Sequence, residues 1–153
     1  MTSSRRLFLQ RGFAGAAILA AAMMKPLRAL AAEWPKPAFE SRQLEEAVRN
    51  LFGTTQTTSS ASLKISAPFQ AENGASVRVA VTADLPSVNT MAVFVEKNER
   101  PLVMAMNVAG AQPYFSLRLK MAQSSDVHVI ARSQGKLYSA KQNIKVTIGG
   151  CGG

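Results

Sequence analysis

Cys151 is the only cysteine among 153 residues, and Gly149, Gly150, Gly152 and Gly153 surround it at the very end of the chain. A thiol without an internal partner cannot close an intrachain disulfide, and glycines have no side chains to bury it or hold it rigid. An exposed cysteine ionises at about pH 8.5, and the nearby terminal carboxylate disfavours the thiolate. No basic residue follows Ile148 to offset that charge. The sulfur is therefore a handle for covalent attachment, activated by groups that other proteins supply. Glycines on both sides give the arm the smallest cross-section a polypeptide can have, so it can thread into a narrow active site. Ordering them is entropically costly, which predicts weak and brief docking.

The residues needed for chemistry of the chain's own are missing from its motifs. His128 is the only histidine, and no second histidine or cysteine completes a zinc site or facial triad. It reads as a surface residue on the polar side of a strand. No glycine loop of the phosphate-cradling kind precedes a helix, and no Gly-x-Ser-x-Gly elbow is present. Asp84 and Asp126, the only aspartates, fall at strand ends and read as turn caps. A Cys151–His128 dyad is conceivable in principle, but a glycine tail cannot hold the thiol against an imidazole at low entropic cost. The expectation is a non-enzyme with no cofactor, no metal and no catalytic residue.

The elements that must present this arm follow a clear order. At the front, Arg5-Arg6 with Phe8 and Leu9 precedes a mild apolar run, Gly12 to Met24, and then Ala29-Leu30-Ala31. That is the order of an export signal, and the paired arginines resemble the twin-arginine type. The run is too short to span a bilayer, so residues 1–31 are expected to be cleaved and no stable membrane insertion is expected. The segment carries five basic residues and no acid, so its removal lowers the net charge from +9 to +4. A scattered +4 is not the basic stripe of a nucleic-acid binder. An idle exposed thiol in an oxidising compartment invites cross-linking, so its presence there points to use.

The remainder, about 120 residues, suits one domain, expected over residues 32–148. Leu44, Ala47, Val48, Leu51 and Phe52 share one helical face. They predict a helix over 40–52, with Ser41 as N-cap and Gly53 as the stop. From Leu63 the period becomes two: Val77, Val79, Val81 and Ala83; Leu117, Leu119 and Met121; Val127, Val129 and Ala131; Ile144, Val146 and Ile148. Met91 to Glu96 and Leu102 to Val108 are apolar on both faces, so something must cover both, and a partner chain is a candidate. Met91, Met104, Met106 and Met121 lie in these strands and read as core. Asn73-Gly74, Leu85-Pro86-Ser87 and Gln134-Gly135 mark turns. About seven short strands without crossover helices predict an all-β fold: an immunoglobulin-like antiparallel β-sandwich with an N-terminal helix and a flexible C-terminal arm at 149–153.

Val146-Thr147-Ile148-Gly149-Gly150-Cys151-Gly152-Gly153 resembles the C-terminus of the SoxY family, the sulfur-carrier subunits of the bacterial thiosulfate-oxidising system. Leu51-Phe52-Gly53, the Glu72-Asn73-Gly74 turn and the all-β body fit the same pattern. The resemblance implies a periplasmic carrier in a heterodimer with a SoxZ-like subunit, exported together and visited by SoxAX-, SoxB- and SoxCD-like enzymes. Cys151 would bear the intermediates, an S-thiosulfonate and then a persulfide, and the four glycines would form the swinging arm. Two other readings use the same tail. One is a sandwich cross-linked through Cys151; the other is a ubiquitin-like carrier activated as a thiocarboxylate at Gly153.

Overall fold

A computed structural model describes residues 34–147. The signal-like segment 1–31, Ile148 and the arm glycines with Cys151 lie outside the described residues. The described elements belong to a unit that begins at Pro35. They are α1 (Lys36–Glu40), α2 (Leu44–Phe52), β1 (Thr58–Ser59), β2 (Leu63–Ser66), β3 (Gln70–Ala71), β4 (Val77–Ala83), β5 (Val88–Val95), β6 (Leu102–Asn107), β7 (Tyr114–Leu119), β8 (Ser125–Ser133) and β9 (Lys136–Val146). Among the described residues no helix is long and apolar enough to cross a membrane.

Two sheets form a sandwich. One has the order β2-β4-β7 and the other β1-β9-β8-β5-β6, with β3 also paired to β9. The long strands pair antiparallel, whereas β1 and β3 add to β9 in parallel. The alternation of β4 puts Val77, Val79, Val81 and Ala83 inward, against Met91, Val93 and Val95 of β5, Val127, Val129 and Ala131 of β8, and Ile144 of β9. Gln134 and Gly135, both at positive φ, close the β8–β9 hairpin between paired Ser133 and Lys136. Positive φ at both central residues is what a two-residue type I′ turn requires.

Both faces of β5 are buried, and the second is covered from within the chain. Ala38 of α1 and Ala47, Val48 and Phe52 of α2 pack on Ala92, Phe94, Ile130 and Leu137. No partner chain is needed to account for that face. Arg132 ties helix to sheet: its Nη2 donates to the Phe52 carbonyl at 2.6 Å, and its guanidinium lies 5.3 Å from the Phe52 ring centroid. The bond satisfies a carbonyl that the end of α2 leaves without a helical partner. Gly53, at φ 79°, stops α2 as its spacing predicts.

The front of the helical region differs from the single helix expected. Two helices are present, Gln43 is the N-cap of α2, and Ser41 instead closes α1, where its Oγ donates to the Pro37 carbonyl at 2.8 Å. The reason is Pro37, which sits in the first turn of α1. Proline fits the first helical turn, where its missing N–H is not required.

Candidate functional site

The site is built around the last strand, because it delivers the chain to Cys151. β9 spans 11 residues, and Ile144 near its end is fully buried. Strand N–H groups point alternately to either side, and those of Lys145, Val146 and Thr147 each have a partner. On one side Lys145 N donates to the Phe69 carbonyl at 2.9 Å and Thr147 N to the Ala71 carbonyl at 3.0 Å. On the other, β8 has not yet begun, and the Ser124 side chain takes its place. Ser124 Oγ accepts from Val146 N at 2.9 Å and lies 3.4 Å from the Val146 carbonyl as donor. The strand is thus held on both edges up to Thr147, and Cys151 follows four residues later.

A third element passes close to this point. Gly74 O accepts from Met121 N at 2.7 Å. A Cβ at Gly74 would fall 2.5 Å from the Met121 carbonyl oxygen and 2.9 Å from Val146 Cγ1. The Asn73-Gly74 turn is present, with Asn73 Oδ1 accepting from Ala75 N at 2.8 Å. Its glycine serves a close backbone approach to the end of β9. Gly74→Ala is expected to lower unfolding free energy by about 1–3 kcal/mol, the range for forced overpacking. Urea denaturation measures the loss, and faster amide exchange at Val146 and Thr147 locates it.

The sheet register also assembles polar groups that the spacing did not single out. Phe94 faces His128 across β5 and β8, and His128 faces Lys141 across β8 and β9. Glu96, Asp126 and His128 therefore converge, with one possible ligand atom from each lying within 4.8 Å of the others. His128 is partly buried and its Nε2 meets Glu96 Oε2 at 2.9 Å, so it is not a free surface residue. Asp126 is not a turn cap: it accepts from Asn143 Nδ2 at 2.6 Å and Lys141 Nζ at 3.1 Å. Lys141 supplies the cation on Asp126, so the cluster reads as an internal charge network of the outer sheet face. The only hint in the sequence is the i, i+2 spacing of Asp126 and His128, which puts them on one face.

The Asn143 hydrogen bond, followed by Lys141, holds the Asp126 carboxyl below its ordinary value of 3.8. A depressed folded-state value means this carboxylate contributes stability above about pH 4 and loses it as pH falls through the folded value. Asn143→Ala is expected to move the Asp126 titration upward, toward 3.8, and the acid-unfolding midpoint with it. A carbon-detected NMR titration of the carboxyl reads the first and circular dichroism the second.

The described residues thus form a sandwich whose last strand is held by hydrogen bonds up to Thr147, and in the sequence Ile148 and a glycine tail with one thiol follow. The family model described as sulfur oxidation protein SoxY matches residues 48–151, a span that closes on Cys151. This chain belongs to the SoxY family. Among solved structures, this SoxY-family chain is similar to the sulfur carrier protein SoxY from Chlorobium limicola f. thiosulfatophilum. The two share 34% identity with a TM-score of 0.64, over 74% of this chain and 99% of that one. It also matches a superoxide reductase (neelaredoxin) from Ignicoccus hospitalis. There the identity is 21% and the TM-score 0.50, over 67% of this chain and 87% of the other, a likeness of fold alone. No curated protein sequence matches.

Proposed function

We propose that this SoxY-family protein is a periplasmic carrier whose Cys151 holds thiosulfate-derived sulfur while separate enzymes act on it. Two features support the reading: the family match reaches the chain's only cysteine, and the strand leading to it is pinned until four residues before. The body gives a fixed base, and the glycines give freedom to the sulfur alone. In the first step the Cys151 sulfur and the outer sulfur of thiosulfate form an S–S bond. The thiol loses its proton, and two electrons pass to a haem enzyme of the SoxAX kind. The product is an S-thiosulfonate. A SoxB-like hydrolase then adds water at the sulfonate sulfur and breaks its bond to the neighbouring sulfur. Sulfate leaves and a persulfide stays on Cys151. A SoxCD-like dehydrogenase, where the host has one, oxidises that outer sulfur.

In this reading the chain is a carrier subunit, with a SoxZ-like subunit as its stable partner. The pair crosses the membrane folded through the twin-arginine signal at residues 1–31. A thiocarboxylate carrier would need a β-grasp sheet with its helix between strands. Among the described residues both helices precede every strand, which favours the thiol over the terminal carboxylate. Intact mass spectrometry of protein from thiosulfate-grown cells tests the proposal. Peptide mapping should place an added sulfur atom or thiosulfonate on Cys151. Material that never carries such a group, or carries it only elsewhere, overturns it.

A further inference from the structure

The carrier reading fixes how near a visiting enzyme must come. Cys151 is four residues past Thr147, and an extended chain spans at most about 3.6 Å per residue. The Cys151 Cα therefore lies within about 14 Å of the pinned Thr147 Cα at full stretch. An enzyme that draws the thiol into a recessed active site must rest its mouth on the surface around the end of β9. The glycine arm itself offers few side-chain contacts and is costly to order, so recognition has to come from that surface.

One side-chain pair there has the character of an interface anchor. Phe69 is 65% exposed, one of three large apolar side chains so placed among the described residues. It stands beside the arm's root, because its carbonyl accepts from Lys145 N at 2.9 Å. The Lys145 ammonium lies 5.0 Å from the Phe69 ring centroid, so the ring and the charge form one amphipathic platform. Among the described residues the ion pairs are Lys36–Glu40, Arg42–Glu99, His128–Glu96 and Lys141–Asp126, and none engages Lys145. Its charge remains for a carboxylate from outside. Aromatic side chains, phenylalanine included, are enriched at protein–protein interfaces relative to the rest of the surface.

We propose that Phe69 and Lys145, at the root of the arm, form the docking face for an enzyme that acts on Cys151. The enzyme's active-site rim would offer an apolar contact to the ring and a carboxylate to the ammonium. The proposal rests on the carrier reading but goes beyond it, since a carrier could be recognised elsewhere. The test uses the full-length protein with its co-purified subunit and the purified host enzyme that loads thiosulfate onto the arm, followed by intact mass. Phe69→Ala and Lys145→Glu should each raise KM for the carrier at least about ten-fold with kcat unchanged. Lys145→Arg should retain most of the affinity, and the cost of Lys145→Glu should shrink at high salt as screening grows. Alkylation of Cys151 by iodoacetamide should proceed at the wild-type rate in every variant, because the thiol itself is untouched. KM values close to wild type, in variants whose Cys151 still loads, would overturn the docking face and leave the carrier reading standing. Loss of the co-purified subunit from Phe69→Ala would overturn it too, by making the patch a permanent interface. Wild-type protein that never loads would instead defeat the carrier reading.

Discussion

Cys151→Ser is expected to abolish sulfur loading outright, while shifting the unfolding free energy by less than about 0.5 kcal/mol. The two halves of that expectation have separate causes. Each proposed intermediate is held by an S–S bond to Cys151, and a serine oxygen cannot replace sulfur in that bond. Its hydroxyl also stays protonated where a thiol with a value of about 8.5 is already partly ionised. Stability should hardly change, because the described core clusters contain no residue beyond Val146. Intact mass after incubation with thiosulfate and the loading enzyme reads the first half; urea denaturation reads the second. Oxygen uptake by cells carrying the variant should lose its dependence on thiosulfate while the protein remains folded and bound to its subunit. A serine variant that still gains the mass of a thiosulfonate would refute the assignment of the thiol. A variant that unfolds would mean the residue has a structural role. The cross-linked sandwich makes a different forecast: the variant would lose a covalent dimer and no metabolic function.

The thiol and the sandwich are both legible in the sequence, for opposite reasons. Val77, Val79, Val81 and Ala83 alternate cleanly because one face of β4 meets the core and the other meets solvent. Cys151 stands out because it has no second cysteine and no neighbour with a side chain. Contacts made across the chain leave no such trace. β1 and β3 are two residues long, too short to show any period, yet β3 helps hold Thr147. Ser124 acts through one hydroxyl placed where β8 has not begun, and nothing in its spacing marks it. Gly74 looks like ordinary turn chemistry, and only the approach of Met121 and Val146 shows its steric role. Glu96, Asp126 and His128 lie up to 32 residues apart and meet through strand register, which a linear reading does not supply. Phe69 sits outside every periodic run, so its place beside the last strand has no signature at all.

Phe94→Ala is expected to cost about 3–5 kcal/mol, the range for emptying a buried aromatic site. Against a total of about 5–15 kcal/mol for a domain, that is enough to leave a large unfolded fraction in mild urea. The reasoning turns on what covers β5. Apolar residues on both faces of this strand make a second chain a candidate cover for one of them. The helices answer otherwise: Phe94 is fully buried within the chain, in the cluster that joins α1 and α2 to the outer sheet face. The two possibilities differ in the isolated subunit. If a partner supplied the cover, Phe94 would already be exposed in the lone chain, and truncating it would cost little. With its own helices in place, the full penalty should appear without any partner present. Phe69→Ala supplies the internal control, since the same ring is removed from a site that is 65% exposed and should cost under about 0.5 kcal/mol. Urea denaturation of the purified single subunit compares the two directly. Equal, small losses would return the outer face of β5 to a partner. A large loss confined to Phe94 would show that the helices seal that face by themselves, leaving Phe69 at the root of the arm free for recognition.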